Sequence, residues 1–245
     1  MITLSQIIDF ILPPRCIVTG DVVDAQGMLS GAAWGKLNFI APPYCACCGF
    51  PFDYDVEGVS EGDLCAVCLK NPPLYQKSRA ALMYDDASRD IVLGFKHGDQ
   101  THAVPTFIPW LERAGADIFD GVDYIIPVPL HRSRLWKRRY NQAGLIAQYL
   151  SKSIDKPCLV DGLKRTRATP AQGYLHRKER QKNVKNAFAV QNKYQSKLKG
   201  KTILLIDDVY TTGATINECS KELLSHQVQN VRVLTLSRVI KLSHI

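Results

Sequence analysis

The chain has 245 residues, 46% hydrophobic and 22% charged, with a formal net charge of +8. That is one large domain or two modest ones of ordinary globular balance, and no apolar run reaches the length of a membrane helix. The moderate basic excess suits nucleic acid or polyphosphate partners without singling out either.

Met1–Leu12 reads as a short amphipathic helix that packs Leu4, Ile7, Ile8 and Ile11 onto the body. It lacks the basic n-region of a signal peptide, and a cytoplasmic protein is expected. Cys45-x2-Cys48 and Cys65-x2-Cys68 follow, sixteen residues apart. This spacing matches two knuckles that supply four thiolates to one tetrahedral Zn2+. Disulfides do not suit a cytoplasmic chain, and a redox CxxC pair would need a βαβ context that is missing here. The stretch between the pairs is too polar to build a core of its own, so chelation is expected to unfold this part and leave the remainder largely intact. Cys47 adjoins the set. Pro13-Pro14-Arg15-Cys16-Ile17-Val18-Thr19-Gly20 looks like an eroded knuckle with Thr19 in place of a cysteine, and no zinc is expected there. Cys158 and Cys219 read as buried apolar thiols.

Composition changes near residue 75, which divides a zinc-binding part (1–75) from an α/β part (76–245). Strands are expected at Ala80–Tyr84, Tyr124–Val128, Ala187–Val190, Thr202–Ile206 and Val231–Leu236. Helices are expected at Ala87–Lys96, Val104–Ala114 (despite Pro109), Leu135–Ser153 and Ile216–Ser225. The alternation argues for a parallel α/β sheet, and no internal repeat is evident. Two basic runs stand out. One holds Arg132, Arg134, Lys137, Arg138 and Arg139 without an acid. The other extends from Lys164 to Lys185 with Glu179 as its only acid.

Ile203 to Thr215 carries the most specific chemistry. Four apolar residues form a buried strand, Asp207 and Asp208 sit where it emerges, and Thr211-Thr212-Gly213-Ala214-Thr215 leads into a helix. Ligands of open α/β sheets bind at the carboxyl ends of the strands. A small-residue loop at a helix start offers N–H groups and hydroxyls to a phosphate, and paired acids accept sugar hydroxyls. The pattern asks for a sugar phosphate. A P-loop is the rival, through Gly200-Lys201-Thr202. It fails because Gln195 stands where a glycine is required and because the triplet precedes a strand.

This run resembles the phosphoribosyl pyrophosphate (PRPP) signature of type I phosphoribosyltransferases, with Tyr210 where an aliphatic residue is usual. Further motifs are Phe95-Lys96-His97, Pro127-Val128-Pro129-Leu130-His131, Tyr140-Asn141-Gln142-Ala143, Arg165-Thr166-Arg167-x-Thr169-x-x-Gln172 and Arg180-x-x-Asn183. Together they resemble the ComF family, whose members pair an N-terminal double zinc ribbon with a phosphoribosyltransferase domain and are associated with natural transformation.

The resemblance implies a type I phosphoribosyltransferase-like parallel sheet with helices on both faces. It also implies structural Zn2+, and Mg2+ with PRPP. PRPP contacts would come from Asp207, Asp208, Thr211 to Thr215 and the loop Pro129, Leu130 and His131, which meets pyrophosphate. Arg165 and Arg167, with Arg180, would supply charge from a mobile hood over Arg165–Asn183, so Asp207, Asp208, Arg165 and Arg167 are the candidate catalytic residues. Arg132, Arg134, Arg138 and Arg139 are candidates for a DNA backbone. Trp136, Tyr140 and Tyr174 are placed to stack on unpaired bases, with plain core contacts as the alternative for Trp136 and Tyr140. Two function classes follow: a transferase with an unnamed acceptor, or a transferase fold reused to bind single-stranded DNA or sense PRPP.

Overall fold

The computed structural model describes residues 12–52, 60, 62–97, 101–169 and 177–240. All but Leu12 of the expected N-terminal helix, together with Gln172, Tyr174 and the side chains of Lys96, His97 and Arg180, lie outside that description. The described strands are β1 (Lys77–Met83), β2 (Tyr124–Pro127), β3 (Leu163–Arg165), β4 (Phe188–Val190), β5 (Thr202–Tyr210) and β6 (Asn230–Arg238). The described helices are α1 (Gly31–Trp34), α2 (Ala66–Lys70), α3 (Asp86–His97), α4 (Val104–Gly115), α5 (Arg132–Arg138), α6 (Gln142–Ser153), α7 (Arg177–Val184), α8 (Gln195–Leu198) and α9 (Ala214–Ser225).

Four strands form a parallel sheet in the order β1-β6-β5-β2. The apolar run in β5 is buried from both sides, as parallel strands are. Ile203 and Leu205 join one core with Val231, Val233 and α9, whereas Leu204 and Ile206 join the other with Leu234, Leu236 and helices α3, α4 and α6. Each fully buried Ile or Leu contributes about 1.5–3 kcal/mol by removal from water. Helices therefore cover both faces, as the resemblance implies. Local signals start the helices. At α3, Ser88 N–H donates to the Asp85 carboxylate and Asp85 N–H donates to Ser88 Oγ, both at 2.9 Å, a reciprocal cap. Helix α4 runs through Pro109 as expected.

Three expectations need correction. The helix expected over Leu135–Ser153 is two helices, because Arg139 adopts a left-handed conformation (φ 65°) that ends α5. Tyr140 Oη then donates to Phe95 O at 2.6 Å and Asn141 Nδ2 to Val128 O at 3.0 Å, which tie the turn down before α6 starts. The strand at β4 belongs to a separate two-stranded sheet, where it pairs antiparallel with β3. The acids do not mark the end of β5. The strand runs on to Tyr210 because β6 is equally long and keeps pairing, Asp207 with Thr235 and Tyr210 with Arg238. Only on the β2 side does the ladder stop, at Ile206. The acids therefore flank a crevice left by the shorter strand.

The zinc-binding part lies along the sheet. Ile40 N–H donates to Ala81 O and Met83 N–H to Asn38 O, at 2.9 and 2.8 Å, so residues 38–40 cover the outer edge of β1. Such coverage removes a row of unpaired backbone groups. Ser78 N–H donates to Cys47 O at 2.7 Å. Gly49 (φ 68°) lies so close that a β-carbon there would come within 2.5 Å of Ser78 O, which accounts for glycine after the knuckle.

Candidate functional sites

Cys45, Cys48, Cys65 and Cys68 are all buried, and their sulfurs lie within 4.8 Å of one another. Cys45 Sγ accepts N–H bonds from Cys48 and Cys65 at 3.5 and 3.3 Å. Four converging thiols, oriented by backbone donors, suit one tetrahedral structural zinc ion. Cys47 is half-buried and outside the set. Cys219 is fully buried, while Cys158 is half-buried with its thiol pushed up to about 11 by burial.

The eroded knuckle expected at Cys16 proves to be half of an internal repeat. Gly20 N–H donates to Cys16 O and Cys16 N–H to Asp21 O, just as Gly49 N–H donates to Cys45 O and Cys45 N–H to Phe50 O. Ser30 stands before α1 as Cys65 stands before α2. The set Cys16, Thr19, Ser30 and Ala33 thus occupies the places of Cys45, Cys48, Cys65 and Cys68. Thr19 and Ser30 share a 2.9 Å hydrogen bond where Cys48 and Cys65 bring their sulfurs to 3.7 Å. Burial pushes the Cys16 thiol up, but hydrogen bonds from Thr19 and the backbone of Ser30, Thr19 and Val18 outweigh it and bring the thiol down to about 7. A hydrogen-bonded hydroxyl pair stands here where the second knuckle set brings two thiols together. The triple variant Thr19→Cys, Ser30→Cys, Ala33→Cys is therefore expected to bind a second zinc ion, raising the content measured by elemental analysis from one to about two per chain. An unchanged content would show that the two backbones are not equivalent.

The second site is a cleft of about 470 Å³ at the carboxyl ends of β2 and β5. The chain leaves β2 toward α6 on one face and β5 toward α9 on the other, so the crevice lies at a topological switch point. Pro129 and Leu130 form one wall, and Asp207, Asp208, Thr211, Gly213, Ala214 and Thr215 another. Gly213 (φ 74°) is the N-cap of α9, a twelve-residue helix whose first residues Ala214, Thr215 and Ile216 line the cleft, and a helix start is where N–H groups lack intrahelical partners.

Three guanidiniums complete the lining: Arg134, Arg138 and Arg165. Arg134 donates to Thr169 O at 2.6 Å, and Arg165 donates to Thr169 Oγ1, which ties α5 to the segment that follows β3. Burial, then the Arg134 charge beside it, pushes Arg165 down to about 10, and its Nε has no hydrogen-bond partner. Burial and Arg138 likewise lower Arg134. Crowded cations in a half-buried cleft await a polyanion.

The predicted residues are not all brought together. His131 caps α5, accepting from Ser133 N–H. Arg167 is exposed and donates to the carbonyls of Asn183 and Lys185, and Thr212 is not among the lining residues. Arg132 and Arg139 are exposed, whereas Arg134 and Arg138 face the cleft. Tyr84, Asn141, Gln142 and Tyr210 also line it. Asn141 and Gln142 were legible only as part of a motif. Gln142 is 1% exposed, donates to Phe95 O and accepts from Arg138, so it fixes that arginine in place.

Residues 7–69 match a double zinc ribbon domain and residues 143–241 a phosphoribosyl transferase domain. Competence protein F of Haemophilus influenzae is 34% identical over 231 residues, which cover 91% of this chain and 96% of that protein. The DNA utilization protein YhgH of Shigella flexneri is 32% identical over 72% of this chain and 78% of its own length. A solved hypoxanthine phosphoribosyltransferase from Staphylococcus aureus aligns over 56% of this chain and 65% of its own, at 18% identity and a TM-score of 0.37.

Proposed function

The chain belongs to the ComF family, which joins an N-terminal zinc ribbon to a phosphoribosyltransferase-type domain, and from that premise we propose that it binds PRPP in the cleft and transfers its phosphoribosyl group. One observation carries the reading: three arginines, an aspartate pair and a glycine-capped helix start line a single crevice. The 5-phosphate sits on the loop over Thr211–Thr215, where N–H groups and hydroxyls receive it. Asp207 and Asp208 accept the ribose hydroxyls. Pyrophosphate lies between Pro129–Leu130 and the guanidiniums of Arg134, Arg138 and Arg165.

Displacement at the anomeric carbon breaks its bond to pyrophosphate, which leaves with the bonding pair, while a lone pair of the acceptor's nucleophilic atom forms the new bond and the acceptor gives up its proton to solvent. Negative charge grows there as the sugar becomes oxocarbenium-like. Fixed guanidiniums in a half-buried site stabilise that growing charge more than the ground state. The two carboxylates stabilise the positive sugar ring. The paired carboxylates offer hard oxygen donors that suit Mg2+, which when bound would neutralise pyrophosphate.

A second reading rests on Trp136, which is 87% exposed on α5 between the exposed Arg132 and Arg139. An aromatic platform flanked by cations suits an unpaired nucleic-acid strand, with about 1–3 kcal/mol per stacked base. The names of the relatives, competence protein and DNA utilization protein, point the same way. One experiment addresses both readings. Zinc-loaded protein is incubated with PRPP and magnesium, with and without single-stranded DNA, and binding and pyrophosphate release are measured. PRPP binding lost in Asp207→Asn/Asp208→Asn is expected, as is DNA binding that is weakened in Trp136→Ala and falls linearly in log affinity with log salt. Absence of PRPP binding overturns the first reading, and a salt-independent DNA interaction overturns the second.

A further inference from the structure

Arg238, the last residue of β6, is 4% exposed. Its guanidinium donates to Cys48 O at 2.6 Å and reaches Cys48 Sγ at 3.4 Å. No ion pair among the described residues includes it, and its Nε has no hydrogen-bond partner. A buried guanidinium without a carboxylate is costly. Four thiolates around one divalent ion carry a net negative charge, so the loaded ribbon supplies the missing counter-charge.

The same guanidinium lies over Tyr210, 4.2 Å from the ring centroid. Tyr210 ends β5, and its hydroxyl meets that of Tyr75 at 2.7 Å. Tyr75 is 3% exposed and follows the second knuckle closely in sequence. The Tyr210 side chain also fills the space against Gly213, where any β-carbon would collide with the phenol. On the far side of the loop, Leu74 N–H donates to the Asn217 side chain in the first turn of α9 at 2.7 Å. Both ends of Thr211–Gly213 therefore lean on groups set by the ribbon.

We propose that Arg238, Tyr210 and Tyr75 are positioning residues through which the zinc-loaded ribbon holds the signature loop in its phosphate-binding shape. Metal and PRPP then bind with positive coupling. This inference rests on the PRPP reading of the cleft. Tyrosine at position 210, in place of the aliphatic residue that type I signatures favour, is the device that makes the connection. Its ring bridges the buried cation to the glycine, and its hydroxyl reaches the ribbon strap.

Thermodynamic linkage supplies the test, because if zinc favours PRPP then PRPP must favour zinc by the same factor. Zinc transfer from the full chain to a competing chelator is measured with and without saturating magnesium–PRPP, and PRPP binding is measured on the same samples. Zinc affinity is expected to rise at least about fivefold with ligand. Free PRPP is itself a weak zinc chelator, so zinc remaining on the protein is measured directly after the small molecules are removed, a readout that chelation by PRPP can only lower. Tyr210→Phe keeps the ring under Arg238 but loses the hydrogen bond to Tyr75, and its coupling factor is expected to fall while one zinc per chain is retained. Arg238→Met is expected to bring the factor near unity, and Arg238→Lys to restore part of it. PRPP binding without any change in zinc affinity overturns the coupling and leaves the PRPP reading intact. Absence of PRPP binding overturns both. An equal zinc shift in wild type and Tyr210→Phe overturns the route through the tyrosine pair, even if the Arg238 variants fail to fold.

Discussion

Replacing Gly213 by valine is expected to weaken PRPP binding severely while leaving zinc in place. Gly213 has φ 74°, a left-handed conformation that costs an L-residue about 1–2 kcal/mol and a β-branched one more. The added β-carbon would also collide with the Tyr210 phenol, which cannot swing freely because Tyr75 and Arg238 hold it. The loop must then shift, and its N–H groups no longer converge on a phosphate. An affinity loss of about 100-fold or more is expected, or about 2.7 kcal/mol, read by calorimetry. Retained affinity would refute the placement of the phosphate.

Replacing Cys48 by serine is expected to remove the zinc and destabilise the whole protein. The sequence suggests that metal loss would unfold only the first 75 residues. The structure argues against that insulation. Cys45, Cys48, Cys65 and Cys68 share one buried cluster with Val231, Val233 and Leu205 of the sheet. Without the thiolate cluster, Arg238 becomes a buried cation with no counter-charge, and breaking such a pair costs about 3–5 kcal/mol. Thermal unfolding followed in the sheet, together with zinc content, should show one transition shifted downward. A separate early transition with the main one unmoved would restore the insulated picture.

What the sequence made legible follows from where the chemistry sits along the chain. The thiol pairs and the run from Ile203 to Thr215 are local, so the zinc ligands and most of one cleft wall could be read directly. The break at Arg139 could not, because neither glycine nor proline marks it. It is imposed by hydrogen bonds from Tyr140 and Asn141 to residues far away in sequence. Arg134 and Arg138 turn into the cleft and Arg132 and Arg139 out of it, a division fixed by the face of a short helix that a charge run does not reveal. Cys16 and Gly20 betrayed half of the vestigial knuckle. Ser30 and Ala33 carry no metal-binding chemistry, so only their place at a helix start identifies them. Tyr210 is paired with a residue 135 positions away.

The antiparallel contact between residues 38–40 and β1 has a consequence for how such a protein can be divided. A transferase half separated from its ribbon would present β1 with bare N–H and C=O groups beside the buried Ala81 and Leu82. Such an edge recruits another copy's strand as readily as its own cover. The ribbon is in this sense a guard against self-association, and a fragment beginning near residue 76 trades a metal requirement for a tendency to aggregate.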